Sequence, residues 1–131
     1  MMKWNLERAD SKFSKFVRNR DRKCMNPWCI CGLNYIGVPI ELLQCSHYYD
    51  RGIWLVRFDP DNCIALGPRC HQLWEDDKQG RYREFMIRWL GDKKFKALEK
   101  RVDDYKYKNI PYITRDGQIK ACREFLKDYE I

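Results

Sequence analysis

Histidine is scarce in this chain: 131 residues hold only two, His47 and His71, so any imidazole chemistry is confined to those positions. Long apolar runs are also missing, and none approaches the roughly 20 residues that cross a bilayer, which argues against a membrane span. The opening stretch, MMKWNLE, has neither an apolar core nor a small-residue cleavage site, so no signal peptide is expected there. Internal repeats and low-complexity tracts are absent. Proline and glycine, at five and seven residues, are few enough to act as local punctuation, and four of them (Pro27, Gly32, Gly37, Pro39) crowd into one loop-like stretch.

Other features are abundant. A hydrophobic share of 44% with 15% aromatics is too high for a disordered tail and fits one folded domain spanning 1–131. Seven cysteines, an odd number without an export signal, suggest reduced thiols in a cytoplasmic setting, where clustered Cys more often means metal than disulfide. The net charge of +7 is laid out unevenly: residues 1–23 carry +5, residues 24–80 carry −3 and residues 81–131 carry +5. Both His and every Cys but Cys122 fall in the acidic middle. Basic flanks around a Cys/His-bearing centre suit a polyanion held beside a cation site.

Periodicity supplies a coarse map. Leu6, Ala9, Phe13 and Phe16/Val17 predict an amphipathic helix over 5–20 within a basic N-terminal segment, 1–23. Residues 24–39 read as a Cys-bearing loop. Residues 40–48 and 53–58 read as two strands joined by a turn at 49–52, and 59–62 as a second turn. Pro68 opens a helix expected to run to about Gln79, with Gly80 as its stop. Beyond it, Phe85, Met86, Trp89 and Leu90 mark a helix ended by Gly91, and Asp92 is expected to cap another carrying Phe95, Leu98, Val102 and Tyr105. A loop over 108–117 and a last helix with Ile119, Cys122, Phe125, Leu126 and Tyr129 complete 81–131.

His47 near the end of a strand, Asn62 in a turn and His71 inside the next helix form a His-Asn-His set on a hairpin followed by a helix. That set resembles the ββα-metal, or HNH, nucleases. Beyond the triad, S-H-x-x-x-R-G (Ser46–Gly52), R-F-D-x-D-N (Arg57–Asn62), Cys70-His71 and the segment Asp10–Asp21 are similar to the NinG/Rap family of bacteriophage recombination nucleases over about residues 8–101. The resemblance implies an α+β fold with a zinc-braced ββα-metal (HNH) core and flanking N- and C-terminal helices. It implies a metal-dependent DNA endonuclease leaving 5′-phosphate and 3′-hydroxyl ends, with branched substrates such as Holliday junctions and D-loops. Two cuts per junction need two active sites, so a homodimer is a reasonable expectation. A bacterial host cytoplasm follows if the phage resemblance holds.

Phosphodiester hydrolysis needs a nucleophile from water, relief of charge at phosphoryl oxygens and support for the leaving oxygen. His47 suits the general base, because a neutral imidazole can take the water's proton near neutral pH. His71 suits a Mg²⁺ or Mn²⁺ ligand, with Glu75 at i+4 as a second, although a solvated helix carboxylate is an equal reading of Glu75. Asn62 suits a positioning role across the turn. Where the family pattern often has an acidic residue or His before the catalytic His, this chain has Ser46, a weak ligand. Arg51 and Arg57 are candidate phosphate contacts, and Lys12, Lys15, Arg18, Arg20, Arg22 and Lys23 a phosphate-tracking arm. Nucleases of this kind carry two CxxC knuckles for zinc, but here position 67 is Gly. Cys24, Cys29, Cys31 and Cys70 make an alternative Cys₄ set, with Cys45 the other candidate for the fourth ligand. Cys63 and Cys122 read as core, and Trp28, Trp54 and Trp74 more as core than as base-stacking residues. Competing readings are a sequence-specific or nicking HNH enzyme, a zinc-containing DNA-binding module without catalysis, and a zinc protein that binds another protein.

Overall fold

The computed structural model describes residues 2–107, 122–125 and 127. Helix α1 (Met2–Asp21) leads into a long loop and a 3₁₀ turn at Ile40–Leu42, followed by strand β1 (Gln44–His47). One helical turn, α2 (Trp54–Arg57), and a 3₁₀ turn at Pro60–Asn62 then lead to strand β2 (Cys63–Leu66). Three helices follow: α3 (Pro68–Glu75), α4 (Arg81–Leu90) and α5 (Asp92–Tyr107). Helices with one small sheet make this an α+β chain.

The sheet has two antiparallel strands, pairing Gln44 with Leu66, Cys45 with Ala65, Ser46 with Ile64 and His47 with Cys63. The partner of β1 is therefore not 53–58, as the sequence pattern suggested, but Cys63–Leu66. All four β2 residues are buried, so this strand is apolar on both faces and shows no alternation. Its outer edge is closed by the Asp21 carboxylate, which accepts from the Ala65 N–H at 2.8 Å, and by the Met25 N–H, which donates to the Ala65 carbonyl at 2.9 Å.

Residues 53–58 instead coil into α2 because Val56 has a better place to go. It is fully buried against Leu98 and Val102 of α5, and Arg101 pairs with Asp59 at 2.8 Å just beyond. The expected strand over 40–48 contracts to Gln44–His47, and α3 stops at Glu75 rather than Gln79. Gly80 precedes α4 instead of ending α3, and Asp92 is the first residue of α5 rather than a cap outside it. Gly91 ends α4 as expected, at φ 83°, a left-handed conformation that glycine adopts without strain.

Ala9, Phe13 and Val17, one face of α1, pack with Cys63, Cys122 and Phe125. A second cluster joins the Cys-bearing loop to the sheet and to α3–α5 through Ile64, Leu66, Cys70, Trp74, Tyr82, Met86 and Phe95. The expected loop over 108–117 and the Ile119, Leu126 and Tyr129 positions of the last helix lie outside the described residues, as does the Tyr105 side chain. Residues 122–125 are helical, and Cys122 is fully buried.

Candidate active site and metal centre

Four thiols from two separated segments meet at the start of α3. The Sγ atoms of Cys24, Cys29, Cys31 and Cys70 all lie within 4.8 Å of one another. The Cys29–Cys31, Cys31–Cys70 and Cys29–Cys70 separations are 3.1, 3.6 and 3.8 Å. Tetrahedral zinc with Zn–S near 2.3 Å places its sulfurs about 3.8 Å apart, so this set can hold a metal such as zinc. The loop is arranged by hydrogen bonds: the Cys24 N–H donates to the Leu33 carbonyl at 2.7 Å, and the Ile30 N–H donates to the Cys70 sulfur at 3.3 Å. Burial alone would raise the Cys29 thiol, but hydrogen bonds from the Cys31 thiol, the loop backbone and the Cys24 thiol outweigh it and lower it to about 7. Burial pushes the Cys24 thiol well up.

Gly67 explains the departure from a CxxC pair at the helix start. A Cβ at position 67 would collide with Cys31 Sγ and would lie 3.1 Å from Leu33 Cδ1. The sulfur that a cysteine at 67 would have supplied is replaced in space by one from the loop. Cys45 is not part of this set. It lies with His47 and Cys63, three donors within 4.8 Å of one another, so the alternative assignment of Cys45 to the Cys₄ cluster is corrected.

An open cleft of about 660 Å³ lies on another face. Helix α1 contributes Asp10, Phe13, Ser14 and Arg18, and the β1 segment contributes Leu43, Gln44, Cys45 and His47. Asp50 and Arg51 come from the loop after β1, and His71, Glu75 and Lys78 from α3 and the turn beyond it. Both histidines of the chain therefore face one cleft.

His47 Nε2 lies 2.9 Å from the Arg57 carbonyl oxygen, which can only accept. The proton must sit on Nε2, leaving the Nδ1 lone pair free. Burial lowers the His47 pKa, the Arg57 carbonyl partly restores it, and the charges of Arg57 and Arg51 lower it further. His71 is fixed in the opposite sense: its Nδ1 meets Gln44 Oε1 at 2.6 Å, and its Nε2 lies 3.5 Å from Glu75 Oε1. Burial lowers the His71 pKa although Glu75 raises it. An imidazole oriented through its far nitrogen, with a carboxylate oxygen beside its near one, is a donor pair suited to a divalent cation.

Asn62 is completely buried. Its Oδ1 accepts from the Tyr49 N–H at 2.8 Å, and its Nδ2 donates to the carbonyls of Tyr49 at 2.9 Å and Val56 at 3.2 Å. One side chain thus ties the start of the 48–62 connection, at Tyr49, and α2, at Val56, to the residue that precedes β2.

Several expected site residues are engaged elsewhere. Ser46 is fully buried, its Oγ 2.7 Å from the Tyr82 hydroxyl. Strand alternation turns it away from the face that carries Cys45 and His47, so it is no ligand in the cleft. Arg57 is buried and committed to Asp10 through two bonds of 3.0 and 2.7 Å, with its guanidinium 4.5 Å from the Trp54 ring centroid, so it does not face phosphate. Arg20 donates to the Cys63 carbonyl at 2.6 Å and the Pro60 carbonyl at 2.9 Å. Arg18 reaches the Ile40 carbonyl at 2.9 Å while still lining the cleft. Lys12, Lys15, Arg22 and Arg51 are exposed, and Lys23 is half-buried. Trp74 is buried, Trp54 half-buried beneath Arg57, and Trp28 exposed.

Asp10, Gln44 and Lys78 were not singled out from sequence. Asp10 and Gln44 act through partners 47 and 27 residues away, whereas Lys78 pairs locally with Glu75 at 3.2 Å. No family model, no curated protein and no solved structure matches this chain.

Proposed function

We propose that this protein is a metal-dependent DNA endonuclease of the HNH type, acting on branched recombination intermediates. The observation that carries the reading is one cleft lined by two imidazoles, each held through a different ring nitrogen. His47 has its Nε2 held by the Arg57 carbonyl, and His71 has its Nδ1 against Gln44 Oε1 and its Nε2 3.5 Å from Glu75 Oε1.

His47 acts as the general base. Its Nδ1 accepts a proton from water while the Arg57 carbonyl holds the other nitrogen, and the resulting hydroxide attacks phosphorus as the P–O bond to the leaving 3′-oxygen breaks. A Mg²⁺ or Mn²⁺ ion held by His71 and Glu75 would supply charge relief at the phosphoryl and leaving oxygens. Arg51, exposed at the cleft, offers a cation to a non-bridging oxygen. Asn62 does no proton transfer; it fixes the connection that carries Arg57 and hence the His47 ring. The Cys₄ cluster binds structural zinc and locks the loop onto α3.

The preference for branched DNA rests on the family resemblance. The test is cleavage of four-way, nicked and linear DNA with and without Mg²⁺ or Mn²⁺, in the parent and in His47→Ala. Metal-dependent cutting of the four-way substrate that falls by about 10²-fold or more in His47→Ala is the expected result. Cleavage that survives His47→Ala overturns the mechanism, and equal cutting of linear duplex overturns the branch preference.

A further inference from the structure

A second group of metal donors lies beside the general base. Cys45, His47 and Cys63 each place a donor atom within 4.8 Å of the others. The register explains the convergence: His47 pairs directly with Cys63 across the sheet, and Cys45 lies two residues before His47 on the same face of β1. Cys45 is half-buried and lines the cleft, giving an ion a way in, whereas Cys63 is fully buried beneath it. The surroundings are apolar, with Phe13, Trp54 and Phe58 in the same cluster and the Phe13 ring centroid 6.0 Å from that of His47.

We propose that Cys45, His47 and Cys63 form a thiophilic metal site, selective for Zn²⁺ over Mg²⁺, whose occupation silences the base. Two thiolates and one imidazole match soft or borderline ions, whereas Mg²⁺ and Mn²⁺ prefer the oxygen donors of the neighbouring cleft. Three protein ligands leave a fourth position for water, the pattern of an exchangeable zinc site rather than a closed structural one. On binding, the two thiol protons leave to solvent. Two thiolates then neutralise the dication, which is what an apolar shell requires. The imidazole donor is Nδ1, because Nε2 is committed to the Arg57 carbonyl. That lone pair is the one that would accept the water's proton, so zinc and catalysis exclude each other at His47. The regulatory half of this inference rests on the nuclease reading; the binding half does not.

The binding half is tested on reduced, full-length protein whose bound metal is first assayed. Co²⁺ is then added, and thiolate-to-cobalt charge-transfer absorption is followed. Thiolate-bound metal, counted apart from any ion at His71 and Glu75, should reach two equivalents per chain in the parent and one in Cys45→Ser, with the second equivalent weakened by about 100-fold or more. The equivalent retained by Cys45→Ser is its own folding control, because the Cys₄ set assembles only when α3 packs on the loop. A parent that saturates at one thiolate-bound equivalent, or a Cys45→Ser protein that still takes two of them, overturns the site. For regulation, Zn²⁺ beyond the first equivalent should slow Mg²⁺-supported cleavage by about tenfold or more in the parent and markedly less in Cys45→Ser. Parent cleavage indifferent to zinc overturns the silencing. Absence of cleavage under every condition overturns the nuclease reading, while the cobalt stoichiometry still decides the site.

Discussion

Gly67 has ordinary backbone angles, φ −69° and ψ 160°, so it is not present for conformational freedom. It is present because Cys31 Sγ occupies the space where a side chain would begin. Seen in sequence, the residue is a gap in a cysteine pattern; seen in space, it lets the loop supply the sulfur. Gly67→Ala is therefore expected to push Cys31 out of the cluster. The cost is about 1–3 kcal/mol from overpacking, with at least tenfold weaker zinc binding. Chemical denaturation and competition with a chelator measure the two effects, and parent-like values in both would refute this account of the glycine. Ser46 and Asn62 show the same limit of a linear reading. Their residue types were informative, but only strand alternation and burial reveal that one hydroxyl serves Tyr82 and that one amide closes the 48–62 connection.

Among the elements, α1 and α2 act together on His47. Asp10 on α1 holds the Arg57 guanidinium, and the Arg57 carbonyl holds His47 Nε2. This chain of contacts crosses 47 residues of sequence at its first link, which is why neither Asp10 nor the inward turn of Arg57 could be read from spacing. Asp10→Asn keeps the shape but removes the charge that answers a buried guanidinium. We expect a loss of about 2 kcal/mol, below the value for a fully buried pair because the Asp10 side chain is 29% exposed. If His47 is the base of a nuclease, cleavage should fall with kcat more than KM, because Lys12, Lys15 and Arg51 are untouched. Urea unfolding and steady-state kinetics on Asp10→Asn are the measurements, and unchanged stability would show that the ion pair contributes nothing. The misread run at 53–58 belongs to the same scale. Its β-branched and aromatic residues favour a strand locally, yet α5 offers Val56 a buried contact that only a helical turn can reach.

Over the whole molecule, the charge layout becomes a surface. Lys12 and Lys15 are exposed on α1, one wall of the cleft, and Arg51 lines the cleft, whereas Arg57 is buried and the Arg20 guanidinium is engaged by the Pro60 and Cys63 carbonyls. If the cleft binds DNA, Lys12→Ala, Lys15→Ala and Arg51→Ala should each weaken affinity and flatten the salt dependence, lowering the log–log slope by about 0.9 per lost phosphate contact. Arg20→Ala should instead lower stability, because Arg20 supplies hydrogen bonds to the Pro60 and Cys63 carbonyls. Binding isotherms at several salt concentrations, paired with thermal melts, separate the two classes. A slope unchanged by all three exposed substitutions would place the DNA elsewhere.

The sequence alone determined most of the helices, the cysteines that cluster and the two histidines that share a cleft. Helices follow a local period, and scarce ligand types have few places to go. Tertiary structure decided the rest: which run pairs with β1, which arginines bond within the fold, that Cys31 fills the place of a side chain at 67, and that Cys45 and Cys63 converge on His47. Those outcomes depend on burial and on contacts between distant segments, and a short apolar run or a single charged residue does not encode its partner locally. The scarcity of histidine thus acquires a sharper meaning, since in the reading proposed here one ring serves as base, the other as ligand, and the base lies beside two thiols that can take its lone pair away.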